Sequence, residues 1–113
     1  MEVILTYESK RDIILQKIFE STNLKRTDII ILYLLKTNVD SKITLKKIRE
    51  ILFYIPPAEI SMSLTKLHKK NYLAKTRASY DERTLIIDNI DFEKISYSID
   101  ICDDIIKSQL SIN

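Results

Sequence analysis

The sequence predicts a mainly α (α+β) fold with the element order α-α-α-α-β-β-α. Three observations predict it. Apolar residues recur at helical spacing over four segments before residue 71 and over one long segment after residue 90. The period then changes to short strand-like runs between residues 72 and 89. The chain has 113 residues, 45% of them hydrophobic and 30% charged, which suits one folded domain, 1–113.

The first helix is expected over about 9–22, with Ser9 as its N-cap and Ile13, Ile14, Ile18 and Phe19 along one side. A second is expected over about 27–37, capped by Thr27 and apolar almost all round, hence buried. After the polar turn Asn38 to Lys42, Thr44 caps a short helix, Leu45 to Leu52. It turns Leu45, Ile48, Ile51 and Leu52 inward and Lys46, Lys47 and Arg49 outward. Pro56 forces Ile55 out of helical geometry, and Pro57 fits the first turn of a helix that runs to about Lys70. Tyr72–Arg77 and Thr84–Asn89 are expected as strands, joined by the polar turn Ala78-Ser79-Tyr80-Asp81-Glu82-Arg83. A last helix, about 91–111, carries the stripe Ile95, Ile99, Cys102, Ile106 and Leu110. A short helix, a sharp turn, a second helix and a hairpin make a winged helix-turn-helix, with the helix-turn-helix at about 44–70 and the wing at about 72–89.

Composition removes several function classes. There is no glycine, so phosphate-cradling glycine loops are excluded and tight turns fall to Asn, Asp, Ser and Pro. One histidine and one cysteine leave no intrachain disulfide, no paired zinc ligands and no visible catalytic triad; no catalytic residue, metal or cofactor is expected. Cys102 lies on an apolar stripe and reads as structural. Asp100, Asp103 and Asp104 read as a solvated acidic face rather than a cation site. The longest apolar run, Ile29 to Leu35, is far too short to span a bilayer, and a cytoplasmic protein without membrane contact is expected.

Net charge is only +2, but it is unevenly spread. Residues 42–83 carry ten basic and four acidic side chains, while residues 84–113 carry two basic and six acidic ones. The basic segment coincides with the helix-turn-helix and the hairpin, which points that surface at nucleic acid. On the second helix of the motif, Ile60, Leu64 and Leu67 form the inner stripe. Ser61, Met62, Thr65, Lys66 and Lys69 lie outward or at its margin. Ser61, Met62 and Thr65 suit thymine methyls or weak hydrogen bonds, and Lys46, Lys47, Lys66 and Lys69 suit phosphates. Glu59 suits either a cytosine amine or a helix cap. Outward Arg, Asn and Gln are missing from this helix, so phosphate contacts and DNA shape are expected to carry much of the binding.

Leu67-His68-Lys69-Lys70-Asn71-Tyr72-Leu73, Lys75-Thr76-Arg77 and Asp81-Glu82-Arg83-Thr84 resemble the MarR-like winged-helix regulators. With Leu85-Ile86-Ile87 following, the match is nearest to the staphylococcal accessory regulator (SarA) branch. The resemblance implies a homodimeric transcription regulator bound to double-stranded, AT-rich promoter DNA. It implies Arg83 as the minor-groove arginine of the wing, Asp81 as its anchor and Arg77 as a basic residue at the hairpin base. It also implies dimerisation through the first and last helices, here Ile13, Ile14, Ile18 and Phe19 with Ile99, Cys102, Ile106 and Leu110. Two features depart from the family pattern: the wing tip Ala78-Ser79-Tyr80 lacks basic residues, and there is no N-terminal cysteine, so redox sensing is not implied. The competing reading is a winged-helix module for protein–protein contact without DNA binding.

Overall fold

A computed structural model describes residues 2–38, 40–78 and 80–110, with every side chain among them except that of Glu82. Ser79 of the expected turn and Ser111 at the expected end of the last helix lie outside the described residues. The elements are α1 (Glu2–Thr22), α2 (Arg26–Asn38), β1 (Ile43–Thr44), α3 (Leu45–Ile51), α4 (Pro57–Lys69), β2 (Ala74–Ala78), β3 (Asp81–Asp88) and α5 (Phe92–Leu110). The mainly helical winged fold is as expected, with one added strand.

That strand, β1, pairs antiparallel with β3 (Ile43 opposite Ile87, Thr44 opposite Ile86), and the sheet order is β1-β3-β2. Thr44 does two jobs. Its extended backbone (φ −81°, ψ 152°) extends the sheet, and its hydroxyl accepts the Lys47 N–H at 3.1 Å as the cap of α3. An N-cap residue is extended by nature, so one residue serves both elements.

Helix α1 starts at Glu2, not near residue 9, and Ser9 lies inside it rather than at its cap. The helix stops where Asn23 turns left-handed (φ 62°) and donates to the Phe19 carbonyl at 2.8 Å. Without glycine, every positive-φ position among the described residues is an asparagine: Asn23, Asn71 and Asn89. Asn71 closes α4. Its N–H reaches the His68 carbonyl and the Tyr72 N–H reaches that of Leu67, both at 3.0 Å, the two bonds of a Schellman motif. Asp91 caps α5 by accepting the Lys94 N–H at 3.0 Å.

The core is built around α2, whose Ile31, Leu32, Leu34 and Leu35 are buried against Ile48, Leu52, Ile60, Leu64, Leu67, Ile95 and Ile99. Helix α2 is not buried all round, because Tyr33 is exposed on its outer side. Thr27 does not cap it. The first turn is instead closed by Asp28, which accepts the Lys25 N–H at 2.8 Å.

Candidate nucleic-acid interface

The helix-turn-helix, α3 and α4, stands beside the β2–β3 hairpin. Pro57 opens α4, and Ile60, Leu64 and Leu67 face inward as their spacing predicts. Ser61, Met62, Thr65, Lys66 and Lys69 line a single surface groove, which Asn23 and Lys70 complete. Met62 is open to solvent, 74% exposed. Ser61 accepts a 3.1 Å bond from Arg49 of α3, which locks the two helices of the motif together. Thr65 donates to the Ser61 carbonyl and accepts from Lys75 of β2, both at 3.0 Å. Its hydroxyl is thereby engaged, and its methyl is what it has left to offer a base. Lys69 is exposed and makes no ion pair among the described residues.

A second groove, of about 850 Å³, runs between α3 and the hairpin; its lining sets four cations, Lys46, Arg49, Arg77 and Arg83, against two carboxylates, Glu50 and Asp81. Lys47 sits on the outer face of α3, with its ammonium 4.0 Å from Glu50, a loose surface pair. Arg49 points outward as its spacing predicts, and its place where α3 meets α4 and the hairpin is visible only in three dimensions.

The hairpin is longer and its turn tighter than the sequence suggests. Ala78 pairs with Asp81, and between Arg77 and Ala78 the register shifts, so that β3 bulges over residues 82–84. Asp81 shapes the bulge by accepting the Arg83 N–H at 2.9 Å and the Thr84 hydroxyl at 3.2 Å. The Arg83 N–H, above all, holds the Asp81 carboxyl below its usual value, so it stays charged. The Arg83 side chain is 94% exposed, and its Nε lies 3.5 Å from Asp81, at the edge of bonding. Arg77 lies one residue from the turn, not at the hairpin base. Tyr80 is exposed at the tip, whereas Ala78 is buried.

Several polar residues of α4 have roles within the fold. Lys66, expected at a phosphate, donates to Asp28 of α2 at 2.7 Å. The Asp28 side chain is only 4% exposed, so removing its cation costs about 3 kcal/mol. Glu59 makes no cap bond to α4; its Oε1 accepts the Thr27 hydroxyl at 3.0 Å. Asp28 is the residue that sequence reasoning missed. His68 bonds the Leu73 carbonyl through Nδ1 at 3.1 Å, a packing role.

The expected dimer residues divide. Ile18, Ile99 and Cys102 are buried within the protomer and belong to its core. Ile14 and Ile106 are half-buried, and Ile13, Phe19 and Leu110 are exposed. Val3, Ile4, Leu5 and Tyr7 are also exposed, more so than these three. Burial pushes the Cys102 thiol up, helped by the charge of Asp103, and keeps it neutral and unreactive. Among the described residues no three His, Cys, Asp or Glu side chains gather as a metal site, and no helix is long and apolar enough to cross a membrane.

The sequence profile described as transcriptional regulator SarA/Rot matches residues 13–96. The chain belongs to the SarA/Rot family of transcriptional regulators. Members of the SarA/Rot family are regulators rather than enzymes, in keeping with a site built of cations and methyl groups. No curated protein sequence matches the chain. Solved structures share its fold. YusO from Bacillus subtilis superposes with a TM-score of 0.75 at 14% identity, over 97% of this chain and 74% of that one. Wild-type apo MarR from E. coli gives 0.68 at 14%, over 97% and 77%. Reduced AbfR bound to DNA gives 0.69 at 18%, over 94% and 72%. The winged helix of this SarA/Rot chain is thus that of the MarR-like regulators.

Proposed function

We propose that the protein is a homodimeric regulator that binds double-stranded, AT-rich DNA, with α4 in the major groove and the hairpin in the minor groove. The observation that carries this reading is the groove between α3 and the hairpin. It joins Lys46, Arg49, Arg77 and Arg83 beside the outer face of α4. Cations gathered on one concave face match a phosphate backbone. The fold shared with AbfR, whose structure was solved bound to DNA, supports DNA as the partner. Met62 and the Thr65 methyl suit thymine methyls, and Arg83 suits a narrow minor groove with its enhanced negative potential. The exposed apolar residues of α1 and Leu110 of α5 support pairing of two protomers.

The test is an electrophoretic shift of an AT-rich duplex across a salt series. Affinity is expected to fall steeply with salt, and Lys46→Ala, Lys47→Ala and Lys69→Ala each to flatten the log–log slope by about one. No shift at ~100 mM salt would overturn the reading and leave a winged-helix module for protein contact.

A further inference from the structure

Helix α4 carries a polar stripe beside its apolar one: Glu59, Ser63 and Lys66, spaced i, i+4, i+7. All three meet the first turn of α2. Glu59 accepts from Thr27 at 3.0 Å, the Ser63 hydroxyl donates to Asp28 Oδ1, and Lys66 donates to Asp28 Oδ2 at 2.7 Å. Oδ2 also accepts the Lys25 N–H at 2.8 Å, which ties the carboxylate to its own backbone. Asp28 is therefore a fixed point that grips α4 on two successive turns.

Lys66 lies at the border of this stripe. It also lines the outer groove with Met62 and Lys69, and its side chain is 27% exposed. Its ammonium stands 5.7 Å from the centre of the Phe19 ring, which covers the pair from α1. A lysine so placed has two possible anions, the buried Asp28 and a DNA phosphate. The geometry gives it to Asp28.

We propose that Asp28 is a positioning residue for DNA recognition: it fixes the roll of α4 through Ser63 and Lys66 and withholds the Lys66 charge from the DNA. The proposal rests on the DNA-binding reading above. Its consequence is selectivity. A firmly set helix aligns its methyl groups with the bases, and one fewer free cation weakens binding to every sequence alike.

Asp28→Asn keeps the shape and the acceptor oxygen but drops the charge. Two probes are compared: the tightest duplex selected by the wild-type protein from random-sequence DNA, and a mixed-sequence duplex of equal length. In Asp28→Asn the ratio of the two affinities is expected to fall at least tenfold. The salt slope on the mixed-sequence duplex should steepen by about one, because Lys66 now counts as a contact. Asp28→Asn/Lys66→Met should restore the wild-type slope. An unchanged ratio and slope in Asp28→Asn would overturn the proposal. Ser63→Ala covers the case in which Asp28→Asn does not fold: the ratio should fall while the slope stays, and an unchanged ratio counts against the proposal. Amine acylation of the wild-type protein without DNA, read by mass spectrometry, should label Lys66 at least fivefold more slowly than Lys69. Equal labelling would overturn the hold on Lys66 by itself. A wild-type protein that binds no duplex yet protects Lys66 would instead overturn the DNA-binding reading.

Discussion

Arg83 and Asp81 show how two neighbouring charges divide a task. Asp81 spends its carboxylate on the Arg83 N–H and the Thr84 hydroxyl, bonds that hold the bulge of β3. The guanidinium keeps only a marginal 3.5 Å contact and stays in solvent, free for a phosphate or a minor groove. A surface pair of this kind adds little to stability. Arg83→Ala is therefore expected to leave the melting temperature nearly unchanged and to lower DNA affinity at least tenfold, about 1.4 kcal/mol. Asp81→Ala should lose less, through a looser wing. A variant without Arg83 that melts early yet binds DNA normally would make the arginine structural. Because the Asp81 carboxyl sits below its usual value, the bulge should hold at neutral pH and loosen only once pH drops beneath the ordinary carboxylate range. This pair was legible in the sequence because its bonds are local. Asp28 was not, because a charged residue reads as solvated. Its burial depends on donors at positions 25, 63 and 66, which only the folded chain brings together.

At the level of elements, legibility followed the strength of the local signal. Helix α4 has Pro57 at its start, a clean apolar stripe and a left-handed asparagine just past its end, so its span and inner face were readable within a residue or so. β1 is two residues long and has no period to read; it exists because β3 offers it an edge. The start of α1 was misplaced for the opposite reason. Residues 2–9 include Val3, Ile4, Thr6 and Tyr7, which favour strands over helices, and they are all exposed and bury no face that would reveal a period. Thr44 links two of these elements and gives them a shared test. Thr44→Ala removes the cap of α3 and should lower stability by about 1 kcal/mol. Because Thr44 also lies in β1 opposite Ile86, hydrogen-exchange protection should fall in β1 and α3 together. Protection lost in α3 alone would mean that cap and strand are independent.

The whole molecule is too long for its mass. Its radius of gyration is 15.7 Å, against about 13 Å for a compact chain of 113 residues, and its extents are 54 × 29 × 21 Å. The excess belongs to α1. Its C-terminal part lies along α5, where Lys17, Glu20 and Ser21 face Asp104, Ile105 and Ser108, while residues 2–9 stand exposed. That exposed stretch includes Val3 at 80%, Leu5 at 66% and Tyr7 at 63%. A helix draws most of its stability from packing one face, so two exposed turns of apolar helix need a cover. In the proposed homodimer the cover is the partner's terminal helices. The seam then shifts from the expected Ile18, Ile99 and Cys102, which each protomer has already buried, to Val3, Ile4, Leu5, Tyr7, Ile13 and Leu110. Light scattering at tens of micromolar should report twice the 13.3 kDa of one chain. Leu5→Glu should return the monomer, reduce the helical circular dichroism of α1's exposed half and leave the buried core around α2 folded. The same variant should bind a two-half-site duplex at least tenfold more weakly, because the second site no longer binds intramolecularly. A 13.3 kDa wild-type particle at that concentration would refute the seam, and α1's exposed residues would then need a different cover.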